Sequence, residues 1–194
     1  MKNGPDFMPY KLDSIIEEAW NIGFRMSCDA GTGGLLATLA ASKPGGRFLE
    51  LGTGVGAGTA WMLAGMDALS HLTTVEVDEH VQAVAKDHLG SDERVTFEHA
   101  HAATWLSSHA AATDVVYDLI FVDCRPGKFL HLEKALELLA PGGLYIVDDL
   151  LPQETWPEDH QPRVDEFLAR WPVDGLVATP MRWASGILVA TRVN

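Results

Sequence analysis

Apolar positions along this chain follow two rhythms that alternate. Leu12, Ile15, Ile16, Ala19 and Trp20 recur at helical spacing, with Asp13 or Ser14 near the start, and predict an amphipathic helix over 12–24. "LLATLAAS" at 35–42 predicts a second helix, with "SCDAGTGG" at 27–34 a loop before it and "KPGG" at 43–46 a turn after it. From there the pattern is regular. Strands are predicted at 47–51, 72–77, 94–98, 117–123 and 143–149, and helices at 57–67, 79–89, 102–109 and 129–139. Leu119 to Val122 and Leu144 to Val147 are unbroken apolar runs, as parallel strands covered on both faces require. Such alternation predicts a doubly wound α/β sheet with helices on both faces.

The rhythm breaks at the end. After a helix predicted at 162–170 come "GLVATPM" at 175–181 and "GILVATRV" at 186–193, with only "RWAS" between them. That gap has no room for a crossover helix, so the two strands must pair antiparallel. The last strand should therefore run against the rest of the sheet.

Composition narrows the class. A chain of 194 residues that is 47% hydrophobic and 21% charged reads as one globular domain. It divides into a helical cap at 1–45 and a core at 46–194. The net charge of −13 lacks the basic face that a nucleic-acid partner needs, yet leaves room for a small anion held by backbone amides. Cys28 and Cys124 have no metal-like spacing and predict no disulfide framework. "MKNGPDFMPYK" lacks the apolar core of a signal peptide, and no apolar run approaches the ~18 residues of a membrane span. The expectation is a cytoplasmic enzyme or binding protein that engages no membrane.

The chemistry concentrates where strands end. "RFLELGTGVGAGTAWML" at 47–63 reads as strand, glycine turn and helix, the place where open α/β sheets bind ligands. Gly52, Gly54 and Ala57 satisfy the dinucleotide pattern G-x-G-x-x-G/A, which alone is a weak signal. Glu76 and Asp78 both stand at the distance where a ribose-binding acid is expected. Glu50, two residues before Gly52, suits a ligand carrying an ammonium group. Asp123 ends one predicted strand, and Asp148 and Asp149 end another. Parallel strands bring these ends to one rim, where three hard oxygen donors suit Mg²⁺, Mn²⁺ or Ca²⁺. The competing reading is structural: one acid caps a helix and another pairs with Arg125 or Lys128.

"LELGTGVG", "VEVDEH", "YDLIFVDCRPGKF" and "LLAPGGLYIVDD" together resemble the class I S-adenosylmethionine-dependent methyltransferases. Within them the chain is similar to the O-methyltransferases related to catechol O-methyltransferase, over residues 29 to 192. The resemblance implies a Rossmann-like seven-stranded sheet with an antiparallel last strand and an N-terminal helical extension. It implies methyl transfer from S-adenosylmethionine to a small-molecule acceptor, a hydroxyl first of all, with a divalent ion assisting. It places Glu50, Gly52, Thr53, Gly54 and Gly56 at the methionine end of the cofactor, the turn amides facing its carboxylate. Glu76 and Val77 fall at the ribose, Glu76 accepting two hydroxyls. His101 and Ala102 fall at the adenine, where "AHA" replaces the more usual Gly-Asp-Ala. Asp123 is a cofactor contact, a metal ligand with Asp148 and Asp149, and, with Lys128, a catalytic group. A Lys three residues after the first metal Asp is usual in catechol-type enzymes. Here Pro126 stands there and Lys128 follows two residues later.

Trp105 is a candidate to flank the adenine, and core packing is its alternative. Gly31 and Thr32 are candidate backbone contacts of the cofactor. "LLPQETWPEDHQ" at 150–161 should cover the acceptor, with Trp156 over an aromatic substrate. Analogy also implies a homodimer through the N-terminal helices. The alternatives left open are a metal-independent methyltransferase acting on another nucleophile, a nicotinamide dehydrogenase, and a non-catalytic cofactor-binding protein.

Overall fold

The computed structural model describes residues 7–112, 114–154 and 156–193. The first part of the N-terminal stretch and position 155 of the covering segment lie outside them. Helices α1 (Leu12–Asn21) and α2 (Ala30–Ala41) lead into the alternation. It runs β1 (Arg47–Leu51), α3 (Ala57–Gly65), β2 (His71–Glu76), α4 (Glu79–Leu89), β3 (Val95–His99), α5 (Ala102–Ala112), β4 (Tyr117–Val122), α6 (Leu132–Glu137), β5 (Leu139–Val147) and α7 (His160–Ala169). Strands β6 (Leu176–Met181) and β7 (Ile187–Arg192) close the chain.

The seven strands order as β3-β2-β1-β4-β5-β7-β6, and β7 is antiparallel to both its neighbours. The chain reverses direction of travel across the sheet after β3, between β1 and β4, which puts a ligand crevice at the carboxyl ends of those strands. Side-chain alternation divides the core in two. Phe48, Leu72, Phe121 and Ile146 face α1 to α4, while Leu49, Val75, Val122 and Val147 face α5 to α7.

Two expectations fail for physical reasons. Residues 30–34 are helix, not loop: Asp29 caps α2 by accepting from the Gly31 amide at 2.7 Å. "AGTGG" is a poor helix sequence by propensity, but tertiary packing requires it. A Cβ at Gly33 would collide with the Trp61 indole, and one at Gly65 with the Ala37 carbonyl, so the glycines let α2 and α3 lie almost backbone to backbone. Gly65→Ala should lower stability by about 2 to 3 kcal/mol, read from the urea midpoint, because the obstacle is main chain and cannot rotate away. The second failure is Trp20. It sits one step round from the Leu12–Ile15–Ala19 face and is 61% exposed, stacked beneath the Arg25 guanidinium at 3.9 Å.

Smaller shifts follow the "PGG" segment. β5 begins at Leu139, not 143, because Leu139 already pairs with Tyr117 before the register slips at the Pro141–Gly143 irregularity. That shortens the preceding helix to Leu132–Glu137. Among the described residues, no helix is long and apolar enough to cross a membrane.

Candidate active site

The glycine turn joins β1 to α3. Gly52, Gly54 and Gly56 have φ of 100°, 52° and 93°, the left-handed region that side chains avoid. Space forbids side chains as well: a Cβ on Gly52 would lie 2.7 Å from the Asp123 carbonyl oxygen. The turn therefore abuts the end of β4 directly.

The turn amides are not the open cradle that the motif suggests. Gly52 and Thr53 donate to the Val75 carbonyl at 2.9 and 3.2 Å, Gly56 donates to the Thr53 carbonyl at 2.9 Å, and Gly54 donates to Glu76 Oε2 at 2.8 Å. Buried backbone groups find partners, and β2 supplies three of the four here. Glu76 Oε1 in turn accepts from the Val77 and Asp78 amides at 2.8 and 3.0 Å. A carboxylate has about four acceptor directions. Three are used, so Glu76 keeps room for one further donor on Oε2, not the pair expected. Val77 offers an exposed side chain beside it.

Glu50 lies beneath the turn at 1% exposure. Register explains its company: Thr74 is its β2 partner, and Thr59 sits in the first turns of α3. Both hydroxyls donate to Glu50 Oε2, at 2.6 and 2.5 Å, and the Thr53 and Thr74 hydroxyls bond each other at 2.6 Å. Oε1 is buried with no partner, against Gly58, where a Cβ would come within 2.5 Å. Burial pushes the carboxyl up to about 8, against the pull of the two threonines and with a push from Glu76. A buried carboxylate with an unpaired oxygen and a raised pKa fits a site completed by a cationic ligand group.

The acids at the ends of β4 and β5 converge. Asp123, Asp148 and Asp149 each bring a carboxylate oxygen within 4.8 Å of the others. Asp148 is 2% exposed and accepts from the Asp149 amide at 2.8 Å and from the Ser185 hydroxyl. Ser185 lies in the β6–β7 turn, so the antiparallel finish of the sheet buttresses the cluster. Burial, then repulsion from Asp149, pushes Asp148 up to about 6. Asp123 is raised by burial and by both neighbours, with partial relief from the Lys128 charge. Crowded oxygen donors that repel one another are the donor set a hard divalent cation relieves. Of the two cations in the competing reading, Arg125 lies 3.6 Å from Asp159 rather than on these acids, while Lys128 approaches them through the Asp148 carbonyl.

Lys128 does not point to solvent. It is 2% exposed, and its amine donates to the Asp148 carbonyl at 2.9 Å. The local chain explains this. "RPGK" turns at Gly127 (φ 89°), whose carbonyl receives the Tyr145 hydroxyl, and the turn feeds Lys128 inward.

Of the adenine candidates, Ala102 is buried and His101 caps α5, its Nδ1 accepting from the Ala103 amide at 3.2 Å. A neutral ring in that role carries its proton on Nε2, which remains available as a donor. Trp105 is core, 4% exposed and stacked on His109 at 3.8 Å. Gly31 and Thr32 are not free backbone contacts, because the Gly31 amide is held by Asp29 and Thr32 is buried in α2. Trp156 stacks on His160 at 4.1 Å, and His160 bonds the Asp149 carbonyl at 3.0 Å. On the N-terminal side, Phe24 covers the turn, 3.1 Å from where a Gly54 Cβ would stand. The Cys28 thiol is raised by burial and by Asp123 and Asp148, so it faces the same acids as a neutral group. Phe24, Cys28, Thr59, Thr74, His160 and Ser185 carry no motif. Only Thr74 was within reach of sequence, through β1–β2 register.

Residues 49–150 match the family described as methyltransferase domain. A candidate O-methyltransferase of Mycolicibacterium vanbaalenii is 32% identical over 120 residues, 59% of this chain and 52% of that protein. The chain thus spans about half the length of that relative. A candidate O-methyltransferase of known structure from Klebsiella pneumoniae superposes with TM-score 0.82 at 28% identity, over 97% of this chain and 92% of that one. The Streptomyces achromogenes O-methyltransferase of tomaymycin synthesis, in complex with S-adenosylmethionine, shares the fold at TM-score 0.84 and 20% identity, over 97% and 92% of the two chains.

Proposed function

Since this chain belongs to the methyltransferase-domain family, we propose that it transfers the methyl group of S-adenosylmethionine to a small-molecule hydroxyl held at a divalent-cation site. The carrying observation is adjacency. Gly52 abuts Asp123, so a ligand on the glycine turn has its reacting end beside the three acids.

In this reading Glu50 supplies negative charge under the ammonium-bearing end of the donor. Glu76 takes a ribose hydroxyl on Oε2. His101 presents its Nε2 proton to the adenine. Asp123, Asp148 and Asp149 would hold the cation, which would lower the pKa of a coordinated hydroxyl and place it. Lys128 works on the acids: it fixes the Asp148 main chain and offsets part of their charge. The acceptor oxygen forms a bond to the methyl carbon as the carbon–sulfur bond breaks, leaving S-adenosylhomocysteine. Holding the two in line converts a bimolecular step into an effectively unimolecular one. The acceptor's proton leaves to Asp123 or to solvent.

Calorimetric titration with S-adenosylmethionine and with NAD, each with and without Mg²⁺, tests the reading. S-adenosylmethionine alone should bind. Glu76→Ala should weaken it about tenfold, because one charge-assisted hydrogen bond is worth roughly 1.5 kcal/mol or more. Binding of NAD instead would refute the assignment of the glycine turn. Turnover that survives chelation would move the acceptor chemistry to Asp123 alone.

A further inference from the structure

Asp148 and Asp149 are consecutive, and consecutive residues of an extended strand point to opposite faces. Both nevertheless reach the same cluster. The backbone resolves this. Asp149 has φ 65°, a left-handed conformation costly to any residue with a side chain, and this kink turns its carboxylate back beside Asp123. A strained residue persists only where its surroundings hold it. Main-chain bonds from Leu150 to Gly186 and from Leu151 to Ser185 hold the downstream chain, at 3.0 and 2.8 Å. The Asp149 carbonyl itself is held by a side chain, His160 Nε2 at 3.0 Å.

His160 is built for this. It is 4% exposed at the start of α7. Its ring is clamped between Trp156, stacked at 4.1 Å, and the edge of Phe129 at 5.5 Å. Phe129 follows Lys128, whose amine holds the carbonyl of the neighbouring Asp148. The two acids are thus gripped through their carbonyls by side chains from the β4–α6 loop and from the first residue of α7.

We propose that His160 is a positioning residue: through the Asp149 carbonyl it sets the third carboxylate of the cation site, and through Trp156 it ties the covering segment to that site. The inference rests on the divalent-cation reading above. Outer partners of metal ligands typically change metal affinity by about 10- to 100-fold when removed.

The test uses Mn²⁺ alone as the probe, with the full chain, by calorimetry or electron paramagnetic resonance. His160→Phe keeps a ring between Trp156 and Phe129 but removes the donor. It should weaken Mn²⁺ about tenfold and leave S-adenosylmethionine affinity unchanged. His160→Gln, whose amide can reach the same carbonyl, should recover most of the loss, which a merely structural role would not give. If His160→Phe does not fold, His160→Asn makes the same comparison, its amide falling short of the carbonyl. Equal Mn²⁺ binding by wild type and the phenylalanine or asparagine variant overturns the inference alone. No Mn²⁺ binding by the wild type overturns the cation reading, and the inference with it.

Discussion

Glu50→Gln is expected to make the protein more stable at pH 9 and to weaken S-adenosylmethionine about thirtyfold or more. Burial pushes this carboxyl up to about 8. The unfolded chain releases the same proton near the ordinary carboxylate value. Between those two values the folded state binds more protons than the unfolded state, so stability falls as pH rises through the window. Above pH 8 the cost of the buried charge is fully present, on the order of 3 to 5 kcal/mol. Glutamine carries no charge, keeps an acceptor for the Thr59 and Thr74 hydroxyls, and removes that slope. The cofactor moves the other way. Losing one partner of a buried, hydrogen-bonded charge pair costs roughly 2 to 5 kcal/mol. At pH 7 Glu50 of the free protein is mostly protonated, so binding the cationic donor should release up to about one proton. Titration in two buffers of different ionisation enthalpy reads that release directly. A variant that binds as tightly as wild type, with unchanged proton release, would show that Glu50 plays no part in the cofactor site.

Asp148→Asn should cut divalent-dependent turnover by about a thousandfold, equivalent to ~4 kcal/mol of barrier, while S-adenosylmethionine affinity changes little. Asparagine can still accept from Ser185, so the β6–β7 turn should stay docked. What goes is one of the three carboxylates proposed to hold the cation. The sign in stability is again opposite. Asp148 is pushed up to about 6 by burial and by Asp149. Without a cation, wild type should lose stability as pH rises from about 4 through 6, on the order of 2 to 3 kcal/mol, and the variant should lose less. With Mn²⁺ present the order reverses, because a ligand that binds only the folded state stabilises it. Thermal melting at pH 8 with chelator and with excess Mn²⁺ resolves both arms. If Mn²⁺ raises the melting temperature of the variant as much as that of the wild type, the cation lies elsewhere.

Both predictions set stability against function, and both concern acids that the sequence identifies. Strand ends, glycines and paired carboxylates are readable because parallel sheets put every strand's carboxyl end on one rim. Once β1, β4 and β5 are recognised, Glu50, Asp123 and Asp148 fall at one end of the sheet; that Asp149 joins them depends on its left-handed backbone. The antiparallel β7 is likewise dictated locally, by a gap too short for a crossover. The order of roles along the chain is what the resemblance to the methyltransferases implies.

Tertiary structure decided what those groups are free to do. The motif at Gly52–Gly56 looks like a set of open amides, but Val75 and Glu76 claim those of Gly52, Thr53 and Gly54, and the Thr53 carbonyl takes that of Gly56. "DAGTGG" has the composition of a loop, yet packing against Trp61 makes most of it helix. Lys128 is in the right loop for a base, and the Gly127 turn points it inward to a carbonyl. His160 and Ser185 carry no motif, being 11 and 36 residues beyond Asp149, and reach the cluster only because α7 and the β6–β7 turn fold back onto it. Sequence determined which residue types meet at the rim, because strand polarity and local periodicity are encoded within a few residues. Which hydrogen bonds are already spent, and which side chains hold the acids in place, depends on contacts between distant segments, and those exist only once the sheet has closed on its helices.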